Sequence, residues 1–179
     1  MNGIRRSAAS RLPAAALTAC LLGTGGSLAA AAPPPPSAVA EAGAWGDTKK
    51  WGDGLAVTVS KPVKFTPASF AVGHESKNQA VKWRIKVHNG TDEPFNGALM
   101  SVYVKSGDDG EGCSQIYDGK LGNGIEGSVS PGSSGTAEFA FDVPPGHLNK
   151  VDLEVRPQVD LDGRHWVGEV KDAVVARPR

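Results

Sequence analysis

VKWRIKVHNGTDEPF, residues 81–95, decides the fold class of this 179-residue chain. Val81, Trp83, Ile85 and Val87 alternate with Lys82, Arg84, Lys86 and His88. That is the two-residue period of a strand with one apolar and one basic face. The run stops at Asn89-Gly90, a pair that favours positive φ and so predicts a turn. Pro94 then withholds the N–H that a continuing strand would need.

The same alternation recurs on both sides. Upstream, Leu55, Val57 and Val59 make one face of a strand that Pro62 ends, and Lys64 to Gly73, with Pro67, reads as an irregular edge or connection. Downstream, Met100, Val102 and Val104 alternate with Leu99, Ser101, Tyr103 and Lys105. The polar Gly107–Gly112 stretch is a loop, Ser114 to Asp118 a short strand, and the Gly/Ser/Pro-rich Gly119–Gly135 stretch a long connection. In Thr136 to Val143 the pattern turns Ala137, Phe139, Phe141 and Val143 inward and Glu138 and Asp142 outward. After Pro144-Pro145-Gly146, Val151, Leu153 and Val155 form a further strand, and Asp162-Gly163 reads as a hairpin turn into His165–Val170. Neither an amphipathic helix nor a repeat is visible. Short alternating strands between Gly/Pro turns predict an all-β, antiparallel sandwich of six to eight strands.

Residues 1–40 obey different physics. Arg5, Arg6 and Arg11 form a basic n-region, and Leu12 to Ala32 is an Ala/Leu-rich run suited to an export signal. Gly23, Gly25 and Gly26 interrupt it, which makes it a poor permanent anchor. Two processing readings stand side by side. Ala38-Val39-Ala40 before Glu41 is a small-x-small cleavage site, giving a secreted protein, whereas Leu17-Thr18-Ala19-Cys20 resembles a lipobox that would lipidate Cys20 and hold the domain on the outer face of the membrane. Arg5-Arg6 is a weak twin-arginine candidate. The expected organisation is a signal peptide (1–40), a flexible lead-in (41–54) and the sandwich (55–179).

Without residues 1–40 the chain keeps 139 residues, one ordinary domain, with 16 basic against 19 acidic side chains. That balance predicts no attraction to nucleic acid. Cys113 is then the one cysteine left, so no disulfide framework is available and the core must suffice.

Several segments together resemble a known group: WGDG before VTVS (51–60), VHNGTDEPF (87–95), QIYD (115–118), PGSSGTAEFAF (131–141) and LEVRP (153–157). They are similar to an actinobacterial family of secreted or lipid-anchored domains, close in fold to the immunoprotective extracellular protein group. The resemblance implies an immunoglobulin-like sandwich without catalytic residues to carry over.

The candidate chemistry is thin. Lys82, Arg84, Lys86 and His88 form an interaction face for an anionic envelope polymer or head group, unless Asp152 and Glu154 neutralise it across strands. Asp108, Asp109 and Glu111, or Asp160 with Asp162, offer oxygens for calcium but lack the EF-hand order and suit turns in their own right. Cys113 and His74, His88, His147 and His165 match no zinc spacing. Gly132-Ser133-Ser134-Gly135 is no nucleophile elbow. Asn89-Gly90-Thr91 matches a glycosylation sequon that the turn explains equally well. Trp45, Trp51 and Trp166 are either a sugar platform or caps of the core. The expectation is therefore a non-catalytic interaction module without a cofactor or metal, whose partner is a protein or envelope polymer. A loop-mediated metal- or glycan-binding protein is the alternative.

Overall fold

A computed structural model describes residues 41–170, and Ala40, Cys20 and residues 171–179 lie outside the described part. The chain forms β1 (Thr48–Lys50), β2 (Leu55–Val59), β3 (Val63–Lys64), β4 (Gln79–Asn89), β5 (Phe95–Asn96) and β6 (Ser101–Ser106). It continues through β7 (Glu111–Gly112), β8 (Ser114–Ile116), β9 (Ser128–Val129), β10 (Ser134–Val143), β11 (Val151–Arg156) and β12 (Arg164–Gly168). Eight of these strands run three residues or longer; the other four are two-residue pairings.

Two antiparallel sheets result. The first has the order β1-β2-β4-β10-β8, with β3 joining β4 beside β2; the second has the order β12-β11-β6-β7; β5 and β9 form a separate pair. This is an all-β, immunoglobulin-like sandwich. The alternation read from the sequence is what fills it: Val81, Trp83, Ile85 and Val87 of β4 are fully buried against Val102, Val104, Leu153, Val155 and Trp166 of the second sheet. Trp83 is the largest of these, 5.8 Å from the Trp45 ring and 6.3 Å from Phe141.

Two sequence expectations change and two are refined. The supposed lead-in is part of the sandwich: β1 pairs with β2, Gly43 bridges Trp166 of β12, and Trp51 is buried. Three indole N–H groups fasten this segment across the sheets, Trp45 to the Glu169 carbonyl, Trp51 to that of Asp162 and Trp166 to that of Asp47. Lys64 to Gly73 is the irregular edge and connection expected, and it has a definite place in the packing. It follows β3 and roofs one end of the first sheet's outer face, where Phe65 and Ala71 cover Ala80, Ala140 and Ile116.

Asp142 points outward as expected but is buried beneath that roof. His74 Nδ1 lies 2.6 Å from one carboxylate oxygen, and Asn78 Nδ2 and the Glu75 amide donate to the other. Alternation along one strand cannot reveal a cover supplied by a distant segment.

The Asn89-Gly90 turn also works differently. Gly90 does not adopt positive φ; a Cβ there would sit 2.5 Å from the Gly54 carbonyl oxygen, so glycine is required by the close crossing of two backbones. The turn is built by the buried Asn89 side chain, which donates to the Glu93 and Val129 carbonyls and accepts from Thr91. With both amide hydrogens engaged inside the fold, Asn89 offers no glycan acceptor.

Trp83→Ala should lower folding stability by about 3–5 kcal/mol, because it leaves an indole-sized cavity between the sheets. Denaturant unfolding followed by the remaining tryptophans measures this, and a loss below about 1 kcal/mol would contradict the packing described.

Candidate functional site

The four basic residues read from the sequence do share one outer face of β4, but their neighbours differ from those expected. The register sets Lys82, Arg84, Lys86 and His88 between β2 or β3 on one side and β10 on the other, while Asp152 and Glu154 lie in the second sheet. There Asp152 meets His165 at 2.9 Å and Glu154 meets Arg156 at 3.1 Å. The acid that serves the basic face is Glu138 of β10, 3.2 Å from Lys82 and 3.1 Å from Arg84. Burial tends to raise the Glu138 carboxyl, but its hydrogen bonds and charge attraction to Lys82 and Arg84 outweigh that and hold it below the ordinary range.

The second cluster surrounds Cys113. Its thiol donates to buried Ser106 Oγ at 3.2 Å, Ser106 Oγ lies 3.4 Å from His147 Nδ1, and that nitrogen is 3.7 Å from Glu111. Acid, histidine and hydroxyl are all present, yet Ser106 and Glu111 converge on the same ring nitrogen. A catalytic relay needs the acid on one nitrogen and the nucleophile on the other. The thiol is unsuited as well, since burial raises its pKa, and Glu111 and Asp142 add to this while Ser106 offsets part of it.

The remaining candidates resolve into structural roles. Trp51 and Trp166 are buried, so they serve the core instead of a sugar platform. Asp108 pairs with Lys150 at 3.1 Å. Among the described residues no three His, Cys, Asp or Glu side chains gather as a metal site. Ser134 meets His88 at 3.3 Å, a pair without an acid.

A site absent from the sequence reading lies on the sandwich edge. The chain holds two tyrosines, and both are about half exposed, Tyr103 at 54% and Tyr117 at 48%. They flank a hollow of about 290 Å³ that continues into one of about 510 Å³; the two share Val102, Tyr103 and Gln115. The backbone of β6 forms one wall. Its pairing with β7 involves only Lys105 and Ser106, extended by the Cys113 amide bonding the Val104 carbonyl. Because Val104 points its carbonyl away from β11, Val102 directs its N–H and C=O the same way. Opposite Ser101–Tyr103 no strand follows among the described residues.

The edges at β12, β8 and β1 are closed or guarded. Gly43 bonds both His165 and Val167 along β12, Val72 exchanges two hydrogen bonds with Tyr117 just beyond β8, and β1 carries Lys49 and Lys50. Lysines and covering segments are how sandwiches deny an edge to foreign strands. Opposite Ser101–Tyr103 the β6 edge has neither, and Tyr103, Tyr117 and Phe139 line the hollow there, while Lys105 and Arg156 line the adjoining one.

Comparison with known proteins supports the architecture. No protein-family model matches the chain, and no curated protein matches it in sequence. Among solved structures it is similar to ycdA of Bacillus subtilis, a candidate lipoprotein, with a TM-score of 0.57 at 17% identity over 70% of this chain and 39% of that one. The chain thus spans about two fifths of ycdA. It is also similar to yjhA of Bacillus subtilis (TM-score 0.53, 15% identity, 64% of this chain and 82% of that one). The secreted protein MPT63 of Mycobacterium tuberculosis gives a TM-score of 0.50 at 18% identity over 73% of this chain and 98% of that one. At such identities the likeness establishes the sandwich fold alone.

Two expectations follow from the electrostatics. A carboxyl held below its unfolded value of about 4.3 contributes stability above that pH and loses the contribution as pH falls through its folded value. Glu138→Gln should therefore cost about 0.2–1 kcal/mol at pH 7, with the difference from wild type shrinking as pH falls through the folded value of Glu138; a deficit that does not shrink on acidification would contradict the pairing. Cys113 should react with iodoacetamide at pH 7.5 at least tenfold more slowly than a free cysteine, as read by intact mass against time.

Proposed function

We propose that this chain is an exported, non-catalytic interaction module that receives an extended segment of a partner polypeptide along the open edge of β6. The observation that carries the reading is the contrast between that edge and the others. Val102 turns an unmatched backbone donor and acceptor toward a hollow walled by Tyr103 and Tyr117, whereas neighbouring edges are bridged or lysine-guarded. Strand addition takes its affinity from main-chain hydrogen bonds and its selectivity from flanking pockets. Exposed aromatic side chains are the usual anchors of such contacts.

Export rests on the basic n-region Arg5, Arg6 and Arg11 and the apolar run that follows, with release after Ala40 as the principal outcome and lipidation of Cys20 as the alternative. Two of the similar structures, a candidate lipoprotein and a secreted protein, accord with that address. Membership of the actinobacterial family of secreted domains is part of the same proposal. The absence of catalysis rests on the geometry around Cys113, Ser106 and His147, where the one nitrogen serves both acid and hydroxyl.

Selection of a displayed library of unstructured peptides on the exported chain should yield binders whose capture slows hydrogen exchange at the Val102 amide. Tyr103→Ala combined with Tyr117→Ala should weaken them at least tenfold. Both side chains are half exposed, so the double variant should keep its melting temperature within a few degrees. Binders that leave Val102 exchange unchanged, or that ignore the double variant, would overturn the reading.

A further inference from the structure

The first sheet presents its outer face on the opposite side of the molecule's chemistry from the β6 edge, and its register reveals a pattern that β4 alone does not. Residues facing one another in an antiparallel pair share a face. Lys50 of β1, Ala56 of β2, His88 of β4 and Ser134 of β10 therefore make one row across the sheet, and Thr48, Thr58, Lys86 and Thr136 make the next. Arg84 and Glu138 follow in a third. Four permanent cations, Lys50, Lys82, Arg84 and Lys86, thus share this face with two carboxylates from its strands: Glu138, which Lys82 and Arg84 already engage, and Asp142, buried at the roofed end under His74, Glu75 and Asn78. Lys50 and Lys86 are exposed and meet no carboxylate among the described residues.

We infer that this face is a docking surface for a linear, water-soluble polyanion whose phosphate groups lie across the Lys50 and Lys86 rows. Charge complementarity selects the sign of the partner. The chain without residues 1–40 is acidic overall, at 16 basic against 19 acidic residues, so the excess of cations is local and orients an anion onto this face.

The extent of the site follows from its borders. Beyond Lys82 the face is roofed by Phe65 and Ala71. Beyond Thr136 a hollow of about 470 Å³ carries three acids, Asp118, Glu126 and Glu138, against one base of its own lining, Lys120, which lies 3.9 Å from Glu126, so its balance does not favour an anion. The open remainder is the cationic, hydroxyl-bearing quarter around Thr48, Thr58, Lys86 and Lys50. The Thr48 and Thr58 hydroxyls bond each other at 2.6 Å, which leaves one hydroxyl hydrogen of the pair to donate outward.

The texture of the face selects a polymer over a bilayer. The exposed large apolar side chains, such as Phe70, Val72, Tyr103 and Val159, all lie outside the four strands that build it. A surface without an apolar side chain to insert gains nothing from acyl chains and binds through phosphate contacts alone. The strand rise of about 3.3 Å per residue spaces successive outward side chains of β4 by about 7 Å, a separation that an extended polymer with one phosphate per short linker can follow.

The test uses the full chain after export and processing, with a poly(glycerol phosphate) chain of about twenty units as the polymer. Vesicles of phosphatidylglycerol present the same head-group chemistry in a membrane. Polymer binding at 50 mM salt should fall about tenfold at 200 mM, as expected when two or three phosphates are neutralised. Lys50→Glu combined with Lys86→Glu should weaken it at least tenfold and flatten the salt dependence. The charge-matched control on the second sheet, Lys105→Glu with Arg156→Glu, should leave it within twofold. Equal losses in the two double variants, tighter binding to vesicles than to the polymer, or no polymer binding at 50 mM salt would each overturn the inference. All four substituted side chains are exposed, so matching melting curves will separate lost binding from lost folding.

Discussion

The ten-residue antiparallel register between β4 and β10, from Gln79 opposite Val143 to His88 opposite Ser134, is the constraint on which the rest of this domain depends. A one-residue slip of β4 against β10 would turn Trp83, Ile85 and Val87 to solvent and carry Lys82, Arg84 and Lys86 into the core. Burying those charges without water would cost far more than the lost hydrogen bonds of the slipped end. The register therefore fixes the inner face, and the inner face fixes how the second sheet packs upon it.

The same pairing distributes charge. By setting Glu138 opposite Arg84 it neutralises the middle of the basic face and leaves Lys86, with Lys50 two strands away, on the open part of the sheet. It also sets Asp142 beside β8 at the end of the sheet, where His74, Glu75 and Asn78 close over its carboxylate. One interaction thus sorts the acids of a single strand into two roles, an ion-pair partner at the surface and a buried fastener for the connection that precedes β4.

The long strands were legible because their apolar residues recur every second position, and each face of Val81–Val87 lands where alternation put it. Strands of two residues, such as β5 and β9, carry no period to read. The turn at Asn89 was visible, but its mechanism was not: dipeptide preference favours positive φ, whereas the actual requirement is the passage of Gly90 against Gly54, thirty-six positions earlier in the sequence. The tryptophans were likewise visible as residue types. That Trp45, Trp51 and Trp166 use their indole N–H groups to bind the start of the domain to its last strand follows only from where the two ends meet. The tyrosine groove carried no signal, because Tyr103 and Tyr117 look like any outward strand residues until the missing strand beside Val102 is seen.

By itself the sequence determined the fold class, the inner faces of the long strands and the lack of a recognisable catalytic motif, since these depend on local periodicity and local composition. The tertiary structure decided which acid serves which base, which edge stays open and which outward residues are covered. Those properties arise from pairings between segments tens of residues apart, where side-chain chemistry is satisfied by whichever strand the register brings alongside, and no single stretch of the chain encodes its neighbour.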